Sequence, residues 1–145
     1  MTAEAGHTAD VPARVWRTLS SFVAGHDRRR ALRAALDLGP SKVEVLVGLL
    51  DGPMTLREIA RAVDVDPPAA TVGVDQLERR GLVYRTPHPD DKRRKLVHLT
   101  DAGRDAARKG QELLDQPPSA LAQMDPHDLD QLDTIFTRLR LDHNP

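Results

Sequence analysis

The chain has 145 residues, no cysteine, and 21 Lys and Arg against 22 Asp and Glu, for a formal net charge of −1. That length suits one ordinary hydrophobic core, and the lack of thiols excludes disulfides, thiolate zinc sites and thiol-based redox sensing. Met1 to Asp10 lacks a basic stretch followed by an apolar run, and no segment approaches the roughly 18 apolar residues of a membrane span, so a cytoplasmic protein with no membrane partner is expected.

Charge is unevenly distributed. Between Arg79 and Lys95 lie seven basic residues (Arg79, Arg80, Arg85, Lys92, Arg93, Arg94, Lys95) and two acids, Asp90 and Asp91. From Gln111 onward the balance reverses: seven acids face only Arg138 and Arg140. A phosphate surface responds to local charge, so it should attract the middle of the chain and be held off by the tail.

In chain order, the first apolar pattern is Val15, Leu19 and Phe22 with Trp16 and Val23, a helical flank. Ser41 and Glu44 stand at capping-box spacing before a helix with Val43, Leu46, Val47 and Leu50 on one face, closed by Asp51-Gly52-Pro53. Thr55 and Glu58 repeat the box, and Leu56, Ile59, Ala60 and Val63 repeat the stripe over a shorter helix. After an Asp64-Val65 turn, Asp66 is placed to cap a third helix with Pro67 at its first position, with Ala70, Gly73, Val74 and Leu77 buried and Gly81 as its stop.

The opposite face of this third helix is Pro68, Ala69, Thr71, Val72, Asp75, Gln76 and Arg79, small and polar groups of the kind a helix carries into a major groove. Two β-rich runs follow, Gly81 to Arg85 and Lys95 to Leu99, with the charged segment Pro87 to Arg94 between them, which predicts a hairpin with a cationic tip. Thr100 should cap a connecting helix over Asp101 to Gln116, broken by Pro117-Pro118. Asp125-Pro126 then starts a last helix whose Leu129, Leu132, Phe136 and Leu139 form a narrow apolar seam.

These elements predict a mainly α (α+β) fold: a winged helix-turn-helix over residues 41–100, flanked by an N-terminal dimerisation segment, 1–40, and a connecting helix and C-terminal dimerisation segment, 101–145. About 60 residues already make a winged-helix core, so apolar helices at both termini point to burial against each other and a second subunit, giving a homodimer. The expected partner is a double-stranded DNA operator. Lys92, Arg94 and Lys95 suit phosphates, and Ala69, Thr71 and Val72 thymine methyls, while Gln76 suits an adenine edge. Asp75 is placed to steer a wing arginine.

Other chemistry finds little support. The six histidines, His7, His26, His88, His98, His127 and His143, lack paired metal spacing, and His88 with Asp90 and Asp91 reads as turn chemistry. No nucleophile elbow, phosphate-binding glycine loop or His-Glu-x-x-His helix occurs, so neither an enzyme nor a bound cofactor is expected.

The run Gly52-Pro53-Met54-Thr55-Leu56-Arg57-Glu58-Ile59-Ala60, then Val74 to Val83, Asp90-Asp91-Lys92-Arg93 and Leu99-Thr100-Asp101-Ala102-Gly103 resembles the MarR family of bacterial transcriptional regulators. The wing Asp-Lys-Arg ahead of Leu-Thr is the more specific part. This resemblance implies a dimer built from both termini and operator binding as a repressor or occasional activator, often with release by small aromatic or phenolic ligands. It assigns Arg93 to the minor groove and Asp91 to orienting that arginine. It also implies an effector pocket between the dimerisation helices and the DNA-binding lobe, for which Trp16, Phe22, His26 and Arg30 offer an aromatic wall and a cation. The chain departs from the family where many members carry a Thr-Arg pair on the recognition helix: here stand Thr71 and Val72. The alternative is therefore a winged-helix protein-interaction module with weak or lost operator binding.

Overall fold

The computed structural model describes residues 10–142; His7 and His143, and all of Met1 to Asp10 but its last residue, lie outside them. The described chain forms two compact units that divide between Asp115 and Gln116.

The first unit starts with α1 (Val11–Ala24) and α2 (Arg29–Leu36), followed by α3 (Pro40–Gly48). The expected Ser41–Glu44 capping box is not formed. Pro40, which has no N–H to satisfy, occupies the first helical position, and extended Gly39 precedes it as the cap, so Ser41 lies inside the helix. Val43 and Leu46 are fully buried as expected, but Leu49 at 3% exposure replaces Leu50 in the stripe. The chain tightens into a 3-10 turn over Leu49–Asp51, whose three-residue period swings Leu49 inward.

Next come β1 (Met54–Thr55), α4 (Leu56–Ala62), α5 (Pro67–Arg79), β2 (Val83–Pro87) and β3 (Lys95–Leu99). Both reciprocal bonds of the Thr55–Glu58 capping box are present, 3.2 Å from the Glu58 N–H to Thr55 Oγ1 and 2.7 Å from the Thr55 N–H to Glu58 Oε2. The Asp66 carboxylate accepts from the Ala69 N–H at 2.7 Å, with Pro67 at the first turn. Between α4 and α5 Asp64 takes a left-handed conformation, φ 53°, which an Asp tolerates better than most side chains. Ala70, Val74 and Leu77 of α5 are buried, whereas Gly73 is only half-buried.

The sheet is antiparallel in the order β1-β3-β2, with Met54 opposite Val97 and Arg85 also opposite Val97 from the other side. β1 was absent from the sequence expectation, and β2 starts two residues late because Gly81 and Leu82 are spent on the helix end. Their N–H groups donate to Glu78 and Leu77 carbonyls at 2.9 and 3.0 Å, with Gly81 at φ 71°.

α6 (Asp101–Asp115) closes the first unit. Thr100 Oγ1 accepts from the Gly103 N–H at 3.0 Å and donates to the Gly81 carbonyl at 2.6 Å, so one side chain caps α6 and ties it to the end of α5. Two glycines let α6 lie close: a Cβ on Gly103 would fall 1.8 Å from the Leu82 carbonyl oxygen, and one on Gly110 2.4 Å from Val43 Cγ1. Arg28 donates to the Leu113 carbonyl at 2.8 Å and to that of Leu114, joining the segment before α2 to the end of α6. Residues 101–115 thus belong with the preceding unit, where the expected boundary at 100 had separated them. Leu32, Val43, Leu46, Ile59, Val74, Leu77 and Val97 form its core.

The second unit holds α7 (Ser119–Ala122), unforeseen in the sequence, and α8 (Pro126–Asp142). Along α8, Leu129, Phe136 and Leu139 are 40, 42 and 53% exposed. No helix among the described residues is long and apolar enough to cross a membrane.

Candidate nucleic-acid interface

α4, the Asp64 turn and α5 form the helix-turn-helix, and the β2–β3 hairpin is the wing. Pro68, Ala69, Val72 and Arg79 of α5 are exposed, and Thr71, Asp75 and Gln76 half-exposed, so the outer face holds the expected residues. Thr71 donates its hydroxyl to the Pro67 carbonyl at 3.0 Å, which turns its polar end to its own backbone. Val72, at 53% exposure, is a large apolar side chain left in solvent on this face.

The wing tip is a built turn. His88 N–H donates to the Arg94 carbonyl and Arg94 N–H to the Asp91 carbonyl, each at 3.0 Å. The Asp91 carboxylate accepts from the Arg93 backbone N–H at 3.0 Å, so it fixes the main chain at Arg93 and leaves the guanidinium unclaimed. Lys92, Arg93, Arg94 and Lys95 are exposed and make no salt bridge among the described residues. Asp90 N–H bonds His88 Nδ1 at 3.1 Å, the turn role expected of that pair.

Asp75 holds a wing arginine, but one from the strand. Arg85 on β2 donates to Asp75 Oδ1 at 2.5 Å and to Glu78 Oε2, bridging two carboxylates one helical turn apart on α5. Its side chain is 19% exposed against 42% and 40% for the acids. Recognition helix and wing are therefore pinned by a charge-assisted fork. Glu78 was missed in the sequence; the signal was there, two acids at i and i+3 followed by an arginine in the next strand.

Arg80 is also spent internally, donating to the Leu36 and Asp37 carbonyls at 2.9 and 2.8 Å, where it caps the end of α2. Of the seven basic residues counted between Arg79 and Lys95, Arg80 and Arg85 are thus committed to the fold. The free positive charge is concentrated on the wing tip and Arg79. At Glu58 the carboxyl is held below its ordinary value, chiefly by the Thr55 backbone N–H, then by the Thr55 side chain, with the charges of Arg94 and His88 adding to the effect.

Two of the four expected effector residues meet. Phe22 and His26 are in ring contact at 4.5 Å, and His26 Nδ1 lies 2.6 Å from the Phe22 carbonyl oxygen. Trp16 is 68% exposed on α1, and Arg30 is exposed on α2.

Residues 50–95, which run from the 3-10 turn after α3 through the helix-turn-helix and up to the first residue of β3, match the model of the MarR family. Over part of its length the chain is also similar to two Bacillus subtilis (strain 168) proteins. The HTH-type transcriptional repressor MdtR is 37% identical over 65 residues, 44% of this chain and 42% of that protein. The uncharacterized HTH-type transcriptional regulator YdgJ is 34% identical over 73 residues, 50% of this chain and 44% of that protein. Each match spans less than half of the relative's length. Among solved structures, RV1404 from Mycobacterium tuberculosis is 28% identical with a TM-score of 0.70, covering 90% of this chain and 92% of that one. A mutant form of MepR from S. aureus superposes with a TM-score of 0.75 at 21% identity over 91% of this chain and 98% of the other, a likeness of fold. The winged-helix architecture expected from the sequence is the one the structure has.

Proposed function

We propose that this protein is a sequence-specific regulator that binds double-stranded DNA as a homodimer. One observation carries the reading: a four-cation wing tip, Lys92 to Lys95, exposed and without salt bridges among the described residues, on a hairpin pinned to a helix with an exposed outer face. Lys92, Arg94 and Lys95 meet phosphates and Arg93 enters the minor groove, while α5 offers the methyl groups of Ala69, Thr71 and Val72 and the amide of Gln76 to base edges. With no arginine on that face before Arg79, direct readout is weaker and the wing carries more of the binding. The exposed apolar residues of α1 and α8, among them Val15, Trp16, Phe136 and Leu139, support pairing with a second copy.

The reading extends to a cytoplasmic repressor released by a small aromatic or phenolic ligand, in line with the relative named a transcriptional repressor. Because Trp16, His26 and Arg30 are exposed and Phe22 only half-buried in one protomer, the ligand wall in this reading is completed by dimerisation.

Genomic fragments recovered on the purified protein and then footprinted test the reading. A palindromic site with halves one helical turn apart is expected, and Arg93→Ala should weaken its binding by about 1 to 3 kcal/mol with an unchanged fold. Equal affinity of wild type and variant would remove Arg93 from the interface. A chain that ignores every duplex would leave the protein-interaction module as the reading.

A further inference from the structure

We infer that Arg57, Arg94 and Lys95 form a clamp for one DNA phosphate segment, on the strand that passes between the groove facing α5 and the groove facing the wing. This rests on the DNA-binding reading above. Arg57 lies on α4, near the start of the helix-turn-helix, and the sequence offered no role for it. In the folded chain it lines a cleft of about 410 Å³ together with Thr55, Leu56, Arg93, Arg94 and Lys95.

Four cations from two separate parts of the chain face this cleft, and none of them makes a salt bridge among the described residues. Four cations with a single carboxylate, Glu58, beside them leave an excess of positive charge, and an anion shared between the cations relieves their repulsion. Glu58, a carboxylate beside them, is already engaged: its Oε2 accepts the Thr55 N–H at 2.7 Å, and Arg94 merely adds to its stabilisation from a distance. The α4 end is likewise closed by its own capping box, so the cleft's attraction for an anion comes from side-chain charge. Exposed Arg57 adds a positive group on the flank of the wing nearest α4. A phosphodiester suits such a cleft because three separate donors can share its oxygens without reading a base.

The arrangement divides the labour of the interface. The recognition face is poor in charge, and the clamp supplies affinity that is indifferent to sequence. Arg93, which lines the same cleft at the wing tip, is left to report groove width.

The test is a salt titration of the full chain on two 30-bp duplexes, one A·T-rich and one G·C-rich, followed by fluorescence anisotropy. Arg57→Ala should lower the slope of log K against log salt by about 0.9 per bound protomer, equally on both duplexes, and Arg57→Lys should restore it. The Arg94→Ala/Lys95→Ala double variant should lower it by about 1.8, which keeps a readout if Arg57→Ala melts early by circular dichroism. Lys109→Ala, which breaks only the Lys109–Glu112 pair on α6, should leave the slope unchanged. Wild type that binds duplex while Arg57→Ala keeps the full slope would overturn the clamp alone. A loss confined to one duplex would make Arg57 a base reader and overturn it as well. Wild type with no affinity for either duplex would overturn the DNA-binding reading itself.

Discussion

Replacing Arg85 by methionine keeps most of the side-chain volume but removes the charge that holds Asp75 and Glu78 together. Two carboxylates one turn apart on α5 would then face each other without a cation. Exposed ion pairs contribute about 0.2 to 1 kcal/mol each, whereas breaking a fully buried pair costs about 3 to 5 kcal/mol. Arg85 is 19% exposed and its partners 42% and 40%, so the geometry lies between these limits. A destabilisation of about 2 kcal/mol is expected, which for a chain of this size lowers Tm by about 4 to 8 °C. Urea unfolding of Arg85→Met, Asp75→Asn/Glu78→Gln and the combined variant measures the coupling directly, and the combined variant should recover part of the loss. Duplex affinity should fall with no change in salt slope, because the Arg85 guanidinium faces acids of its own chain. Stability within about 0.5 kcal/mol of wild type, or a reduced slope, would refute the view that Arg85 positions the wing.

Two glycines should respond with opposite signs. Gly103→Ala places a methyl 1.8 Å from the Leu82 carbonyl oxygen and should destabilise by at least about 1 to 3 kcal/mol in urea, since that oxygen belongs to the backbone. Gly73→Ala, in mid-helix with nothing within 4 Å of the new carbon, should stabilise by about 0.5 to 1 kcal/mol in the same assay. Glu58 sets a pH dependence: its carboxyl titrates below the ordinary value of 4.5 in the folded chain, so its contribution is complete above that pH and is lost as pH falls through the lowered value. Thermal melts at a series of pH values should therefore show wild type losing its advantage over Glu58→Gln below pH 4.5.

Local chemistry was legible wherever one residue or a short spacing decides the conformation. Thr55 with Glu58, Asp66 with Pro67, Gly81 and Thr100 each carry their helix boundary in their own side chain or lack of one. The start of α3 was misread because two local signals competed, and the imino ring of Pro40 prevailed over the Ser41 hydroxyl. β1 escaped because a two-residue strand has no period; it exists only through pairing with β3. The wing tip could be read as a charge run, but its effective charge could not, since the commitments of Arg80 to α2 carbonyls and Arg85 to two acids are tertiary. Arg57 joins the wing cations only when α4 packs beside the hairpin, a closeness that a sequence separation of more than thirty residues hides.

The sheet's outer strands also shape how this chain behaves among its neighbours. β1 is only two residues long, and β2 ends at Pro87, which offers no N–H to an incoming strand. A protruding hairpin is the part of a winged helix most exposed to edge-to-edge templating, and here its outer strand closes on a residue that cannot donate to a fibril. Crowding many copies together should then favour association through the terminal helices over cross-β growth from the wing.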